Sequence, residues 1–255
     1  MEPIHVHELG NPAGPTLVLV HGMAEAGTAW PDAVDRWGDR YRLLAIDHRG
    51  HGSSPRFNPE DMPTTRSFWR ADLTDVLRRQ PEPPVVVAFS MGATISLRIA
   101  ADHPELLRAL VLEDPARPSA TVEAQQAFVE VQLRTLAAFA DGGAERRARL
   151  RERTNWSDAE IEAWSDCKTQ VDEEMIRHGV GLGEDDLDER LRAIEVPTLV
   201  IAPEGGPMAP NPARIRNPLV DIRFIPGAGH SVRRDAPAPY YALVEQFLAQ
   251  HHPAT

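Results

Sequence analysis

Apolar residues recur along the chain in short runs, and each run ends at glycine, proline or a polar cluster. Most of these runs have no alternating polar positions, and β-branched residues are frequent in them. That pattern is typical of strands that are buried on both faces of a parallel sheet. The predicted strands are 4–9, 16–22, 41–47, 85–89, 109–113, 197–202 and 221–226.

Segments with a helical period lie between these runs. In one of them Phe68, Leu73, Val76 and Leu77 lie close to a single helical face. Strands that alternate with helices predict right-handed crossovers and a doubly wound α/β sheet. The predicted helices of this kind are 28–39, 64–79, 91–103 and 236–252.

The alternation stops between residues 118 and 192, where the sequence indicates no strand. Several amphipathic segments fill this stretch, and Ser157 with Glu160 forms a capping-box pattern at the start of one helix. We interpret residues 118–192 as a helical cap inserted into a core of residues 1–117 and 193–255. An independent helical domain is the alternative, but roughly seventy residues with few large apolar side chains bury a core poorly.

Composition restricts the partners of the chain. It has 255 residues and a formal net charge of −11 at pH 7, and phosphate binding needs clustered Lys and Arg. Nucleic acid and membranes are therefore not expected partners. The single cysteine, Cys167, excludes an internal disulfide. Since neither a secretory signal nor an apolar run of roughly 18 residues is evident, we expect a cytoplasmic protein, with a homodimer left open.

Six short motifs follow one another along the chain. They are His21-Gly22, DHRGHGSS at 47–54, AFSMG at 88–92, His103-Pro104-Glu105, VPTLVI at 196–201 and IPGAGH at 225–230. In this order they resemble the motifs of the α/β-hydrolase superfamily, almost from end to end, and six ordered motifs are far more specific than any one of them. The resemblance implies an α/β fold with a doubly wound, mostly parallel sheet and an inserted cap. No metal cluster or phosphate-binding glycine loop is evident, so neither a metal nor a cofactor is expected.

The third motif places Ser90 where a strand gives way to a helix. A nucleophile elbow reads G-x-S-x-G, because strand and helix must approach closely at a sharp turn. Ala88 adds only a methyl group to glycine, and Gly92 is kept. A purely structural corner serine is the alternative reading; we predict that Ser90 is the nucleophile.

A serine hydroxyl needs a base within hydrogen-bond reach. Of the ten histidines, only His230 follows the last core strand in a glycine-rich loop, from which a base reaches an elbow. Two backbone N–H groups must stabilise the oxyanion. One belongs to Met91, the residue after the nucleophile; by the resemblance, the other belongs to Met23.

The acid is where this chain departs from the family. The usual aspartate, after the family's seventh strand, would fall on Gly206, which has no carboxylate. Haloalkane dehalogenases and a few lactonases carry the acid at the end of the preceding strand, and the resemblance to them puts it on Asp114. Glu204 and Glu113 remain alternatives, although Glu113 would point to the opposite face of its strand.

These residues indicate a serine hydrolase for a carboxylic ester or lactone, acting through an acyl-enzyme. Hydrolysis of a carbon–carbon bond in a diketone would need the same three residues. A non-catalytic receptor on the same scaffold is the alternative from another class, favoured by the lost family aspartate. Haloalkane dehalogenase and epoxide hydrolase chemistry is disfavoured, because both need an aspartate nucleophile where Ser90 stands.

For substrate binding we predict Gly22 and the cap residues Trp156 and Trp164. Apolar side chains around the site favour an apolar ester or lactone as the small-molecule substrate. The further candidates for an apolar wall are Met23, Phe57, Phe139 and Met175.

Overall fold

The computed structural model describes residues 2–117, 121–178 and 186–254, so the predicted start of the cap at residue 118 lies outside them. Its strands form one sheet in the order β1-β3-β2-β4-β5-β6-β7. Only β1 is antiparallel to its neighbour, and the remaining pairs are parallel. The strands are β1 (Val6–Gly10), β2 (Thr16–Val20), β3 (Arg42–Ile46), β4 (Val85–Phe89), β5 (Ala109–Glu113), β6 (Thr198–Pro203) and β7 (Val220–Ile225).

Helices connect the strands and also fill the stretch between β5 and β6. In the described ranges, no helix is both long and apolar enough to cross a membrane. The α-helices are α1 (Pro31–Trp37), α2 (Thr65–Arg78), α3 (Ser90–Asp102), α4 (Val122–Ala137), α5 (Ala144–Arg153), α6 (Asp158–Asp166), α7 (Glu173–Arg177), α8 (Leu187–Ala193), α9 (Val232–Asp235) and α10 (Pro237–His251). Short 3₁₀ helices occupy Pro59–Thr64, Pro104–Leu106 and Cys167–Gln170.

The central strands are buried on both faces, as their continuous apolar runs predict. Every residue of β4 and β5 is buried. One core cluster combines one face of the sheet with α2, α3 and α8, including Trp69, Ile99 and Leu191. The second combines the other face with α1 and α10, including Trp37 and Tyr240. Helices on both faces of a mostly parallel sheet confirm the predicted fold class.

The helices between β5 and β6 divide into two groups. Helix α4 contacts α7 and the 3₁₀ helix Cys167–Gln170, whereas α5 contacts α6, and α6 also contacts α1. Helix α8 packs on α3 instead, and its residues Leu187 and Leu191 belong to the first core cluster. The stretch predicted as a cap therefore contacts the sheet domain at several points, because α8 packs on α3, α6 packs on α1, and Met175 of α7 belongs to the first core cluster.

Candidate active site

Ser90 begins α3 directly after β4, at a turn as sharp as the sequence predicts. Its φ is +52°, in the left-handed region that residues other than glycine rarely adopt. Two positions away, a Cβ atom added to Gly92 would lie 2.5 Å from the His21 carbonyl oxygen. A side chain does not fit at Gly92, and this close approach of helix and loop keeps Ser90 at the edge of the sheet.

Three side chains from separate loops meet at this edge. Ser90 Oγ lies 2.9 Å from His230 Nε2, and His230 Nδ1 lies 2.6 Å from Asp114 Oδ2. Asp114 follows β5 and is 1% exposed, whereas His230 follows β7 and is 42% exposed. An ionised carboxylate only accepts hydrogen bonds, so His230 Nδ1 carries the proton. His230 Nε2 is then free to accept from the Ser90 hydroxyl.

The other two candidate acids do not contact His230. Glu113 is fully buried, and its two oxygens accept from the Arg233 backbone N–H at 2.8 Å and the Arg233 guanidinium at 2.9 Å. Its side chain thus points away from that of Asp114, as strand geometry requires. Glu204 follows β6 at an exposed position. Of the three carboxylates, only Asp114 is brought to the histidine.

Two backbone N–H groups border Ser90. Met91 is the second residue of α3, where N–H groups have no acceptor within the helix. Met23 lies in the loop after β2. Across the described ranges, neither N–H donates to another protein group. Both N–H groups therefore keep their capacity to donate a hydrogen bond.

Gly22, predicted from the sequence as a substrate-binding residue, lies close to Ser90. It is not part of the cavity wall beside Ser90. A Cβ atom added to Gly22 would lie 2.8 Å from the Phe89 ring and 3.1 Å from the Ser90 Cβ. Gly22 thus lies against the elbow, where glycine lets the loop after β2 approach the serine.

A cavity of about 400 Å³ opens onto Ser90 and His230. Its volume is in the usual range for small-molecule sites. Met23, Trp156 and Trp164 line it, together with polar and charged side chains. The wall is therefore not uniformly apolar.

Three other apolar candidates lie away from this cavity. Phe57 and Met175 belong to the first core cluster. Phe139 is buried and packs edge-to-face on the Trp164 ring, with the ring centroids 5.6 Å apart. Phe139 thus supports the wall from behind. The sequence alone does not distinguish apolar residues that line the cavity from apolar residues that pack in the core. The packing in the folded structure makes this distinction.

A buried group of ion pairs joins the loops around the site, and the sequence analysis did not identify it. Arg233 and Arg234 of α9 follow the histidine loop. Arg233 pairs with Glu113 at 2.9 Å and with Glu25 at 3.2 Å. Arg234 pairs with Glu25 and with Glu160 of α6, both at 2.6 Å. The signal in the sequence was two adjacent arginines after the glycine-histidine motif and a glutamate among small residues in the loop after β2.

The group combines two arginines with three glutamates, so its charges offset one another only in part. Burial alone would raise the pKa of Glu25, but Arg234 and Arg233 hold that pKa well below its usual range. Glu25 is therefore ionised at neutral pH. Because its partners come from the histidine loop, β5 and α6, the group connects the strand before Asp114, the loop of His230, the loop after β2 and the predicted cap.

Two further hydrogen-bonded contacts fix the same loops. Asp235 accepts from the Gly229 N–H at 2.8 Å and from the Trp156 indole N–H at 2.7 Å. The Ala116 N–H donates to the Ser90 carbonyl oxygen at 3.1 Å. The first contact joins the histidine loop to a tryptophan of the predicted cap, and the second joins the aspartate loop to the elbow.

Three buried histidines pack beneath the loop after β2 and form hydrogen bonds with its backbone or with one another. The His48 N–H donates to His21 Nε2 at 2.9 Å, and His21 Nδ1 contacts the Gly22 carbonyl oxygen at 2.7 Å. The Ala24 N–H donates to His51 Nε2 at 3.3 Å. Burial lowers the pKa of His21 and lowers those of His48 and His51 well below their ordinary value. Neutral rings can accept these backbone hydrogen bonds, whereas doubly protonated rings cannot.

One group of side chains in the described residues has the composition of a metal site. The ligating atoms of His5, His7 and Asp47 lie within 4.8 Å of one another. The Asp47 oxygens already accept from the Gly27 N–H at 2.6 Å and the Ser53 N–H at 2.8 Å. Asp47 is thus engaged in holding two loops, and the group lies outside the cavity wall.

Comparisons with known proteins agree with this architecture. The alpha/beta hydrolase family matches residues 17–243, which confirms the resemblance that the motifs indicated. The N-formylmaleamic acid deformylase of Pseudomonas putida S16 superposes with a TM-score of 0.75 at 20% identity, over 94% of this chain and 95% of that one. That likeness establishes the fold.

Two relatives in sequence carry the same name. A pimeloyl-[acyl-carrier protein] methyl ester esterase of Aeromonas hydrophila is 25% identical over 251 residues, 92% of this chain and 93% of that protein. Its namesake from Nitrosomonas europaea is 32% identical over 113 residues, 44% of this chain. The chain spans only 41% of the length of the Nitrosomonas protein.

Proposed function

The chain belongs to the alpha/beta hydrolase family, and on that premise we propose that it is a serine hydrolase cleaving a carboxylic ester or lactone. The observation that carries the proposal is the hydrogen-bonded series Ser90, His230 and Asp114 beside a cavity. An ester is also what two relatives are named for. The reaction needs no group beyond the protein side chains, its backbone and water.

In the proposed reaction His230 Nε2 removes the hydroxyl proton while Ser90 Oγ attacks the carbonyl carbon. The N–H groups of Met23 and Met91 bind the oxyanion. His230 then gives its proton to the departing alkoxide, and the acyl group stays on Ser90. A water molecule, deprotonated by the same histidine, releases the acid. Asp114 holds the imidazole in the required tautomer and stabilises its protonated form.

We propose that α4–α7 form a lid over the cavity, within the predicted cap of residues 118–192. Trp156 and Trp164 supply part of the cavity wall, and α6 is joined to the histidine loop through Glu160. A lid that excludes water strengthens the electrostatic contacts inside. An independent domain would not need these ties.

Fluorophosphonate labelling tests the proposal against a receptor on the same scaffold. The probe reacts with an activated serine, so peptide mass spectrometry should find it on Ser90. Labelling should be lost in Ser90→Ala and fall steeply in His230→Ala. Ser231→Ala is a matched control, because Ser231 lines the same cavity and its hydroxyl forms no hydrogen bond with the His230 ring among the described residues. An intact, folded protein that the probe leaves unlabelled would contradict the proposal.

Ester hydrolysis itself gives a second readout. Loss of the nucleophile in such a triad typically costs on the order of 10⁶ in kcat, so Ser90→Ala should have no measurable turnover of p-nitrophenyl esters. The variant should keep its thermal unfolding temperature, since alanine fits the corner. Near-normal turnover by this variant would end the serine-hydrolase proposal.

A further inference from the structure

The chain has 27 lysines and arginines, and only one of them, Lys168, is a lysine. It lies in the 3₁₀ helix Cys167–Gln170, its side chain is 4% exposed, and it lines the cavity beside Ser90. Ammonium groups are seldom buried unless an anion compensates them. The groups around the Lys168 ammonium therefore indicate what kind of ligand the cavity binds.

The other charged side chains of the cavity wall, Glu25 and Arg117, are held by protein partners. Glu25 is paired with two arginines. Arg117 pairs with Asp188 at 2.6 Å and donates to the Met208 carbonyl oxygen at 3.1 Å. Lys168, by contrast, forms no ion pair with a carboxylate of the described residues.

The contacts of Lys168 leave donor capacity unused. Its Nζ donates to the Ala24 carbonyl oxygen at 2.6 Å and lies 3.8 Å from the centroid of the Trp164 ring. An ammonium has three N–H donors. The Ala24 carbonyl oxygen accepts one of these N–H groups, and the Trp164 ring covers a second. The third N–H is left for a ligand in the cavity.

Burial of this ammonium is incompletely compensated within the protein. Desolvation lowers the pKa of Lys168 to about 8, while the charge of Glu25 acts in the opposite direction and Arg234 adds to the lowering. The group is still mainly protonated at pH 7. An anion entering the cavity would supply the missing partner.

We infer that Lys168 binds a carboxylate of the substrate, so that the preferred substrates are esters that also carry a free carboxylate. This inference rests on the proposed esterase activity, and it amends the predicted apolar substrate to one that is apolar along its chain and anionic at one end. The alternative is that Lys168 only holds the Ala24 loop in place.

Paired substrates separate these two roles. The first series comprises monomethyl esters of succinate, glutarate, adipate and pimelate, and the second comprises O-acetyl hydroxyacids. Each is compared with the carboxamide of the same shape. A charge-assisted hydrogen bond strengthens binding by about tenfold to a hundredfold. For the substrate of the best chain length, the wild-type kcat/KM should therefore be higher for the carboxylate than for the carboxamide by that factor.

The decisive readout is the ratio of kcat/KM for carboxylate over carboxamide within each variant, because a general loss of activity cancels in it. In Lys168→Met the ratio should fall to about one, because the hydrogen bond to the substrate carboxylate is lost. The change should appear mainly as a higher KM for the carboxylate substrate. It should persist in Gln132→Met, which changes a neutral polar residue of the same wall. No carboxylate preference in the wild type, or an unchanged ratio in Lys168→Met, would overturn the inference.

A measurement without a lysine variant covers the case in which Lys168→Met does not fold. Since the chain has one lysine, ε-¹³C-lysine labelling gives a single side-chain signal. In Ser90→Ala protein, monomethyl adipate should raise the pKa reported by that signal by about one unit or more, and the carboxamide should not. No difference between the two ligands would overturn the inference. Because this arm needs no turnover, it is independent of the fluorophosphonate test of the proposed function.

Discussion

Asp114→Asn gives the sharpest prediction of the catalytic account. Asparagine has the shape of aspartate, so the 2.6 Å contact between the side chain and His230 Nδ1 can be kept in either of two orientations. If the amide NH₂ faces Nδ1, it donates to that nitrogen. The proton then lies on Nε2 and faces Ser90 Oγ, which removes the acceptor for the hydroxyl proton.

The local structure does not hold the amide in the productive orientation. Asp114 Oδ1 is buried and, among the described residues, has no hydrogen-bond partner. With the amide oxygen facing Nδ1, the NH₂ group would occupy this place as an unpaired donor, which is costly. A wrong tautomer is worth about 10⁴ in kcat in a well-studied triad, or about 5.5 kcal/mol in activation free energy.

The assay is kcat for p-nitrophenyl ester hydrolysis, with thermal unfolding as the check on folding. Glu204→Gln is the matched control, because Glu204 is exposed and should change kcat little. Glu113→Gln should act on stability instead, since it removes one of the two buried carboxylate partners of the Arg233 guanidinium. If Asp114→Asn retains kcat within about tenfold while Glu204→Gln collapses, the acid role has been assigned to the wrong residue.

Two further predictions concern stability. Below pH 6.5 the unfolded chain protonates His21, His48 and His51 more readily than the folded protein does, because burial lowers the pKa of each ring in the folded state. The free energy of unfolding should therefore fall as pH drops through 6.5, by up to about 1.4 kcal/mol per pH unit per histidine. Urea titrations between pH 7.5 and 5.5 measure this, and a flat profile would contradict it. Arg234→Met leaves the buried Glu160 carboxylate without its ion-pair partner and removes one of the two partners of Glu25, so it should cost about 3–5 kcal/mol in urea unfolding. Arg223→Met, from an exposed pair, should cost under about 1 kcal/mol. If both variants lost the same free energy of unfolding, burial would not determine how much these ion pairs contribute to stability.

The strands could be predicted from sequence because burial on both faces leaves a local mark. The run predicted at 85–89 coincides with β4, and the run predicted at 197–202 differs from β6 (Thr198–Pro203) by one residue at each end. The edge strand β1 was placed less well, starting at Val6 where residue 4 was predicted. Edge strands are partly exposed, so their apolar pattern is weaker.

The positions of Ser90 and His230 followed from local features, a strand-to-helix corner and a glycine-rich loop. The choice among Asp114, Glu113 and Glu204 did not, because the loops after neighbouring strands converge at one edge of a sheet. Which carboxylate reaches the histidine depends on strand direction and loop shape in three dimensions.

Contacts between distant segments could not be predicted from local patterns. Arg234 meets Glu25 across 209 positions, and Lys168 meets Ala24 across 144. Each residue alone reads as an ordinary surface charge. Its burial follows from how the predicted cap and the loops pack on the sheet, which sequence periodicity does not encode.

Detection of the acyl-enzyme tests the central claim most directly. Protein mixed with p-nitrophenyl acetate and quenched in acid within milliseconds should gain one acetyl group by intact mass, on the peptide that contains Ser90. The adduct should be absent in Ser90→Ala and should disappear from the wild-type protein as substrate is exhausted. Turnover of the ester with an acetyl group on another residue, or with none on Ser90 at any quench time, would contradict the account.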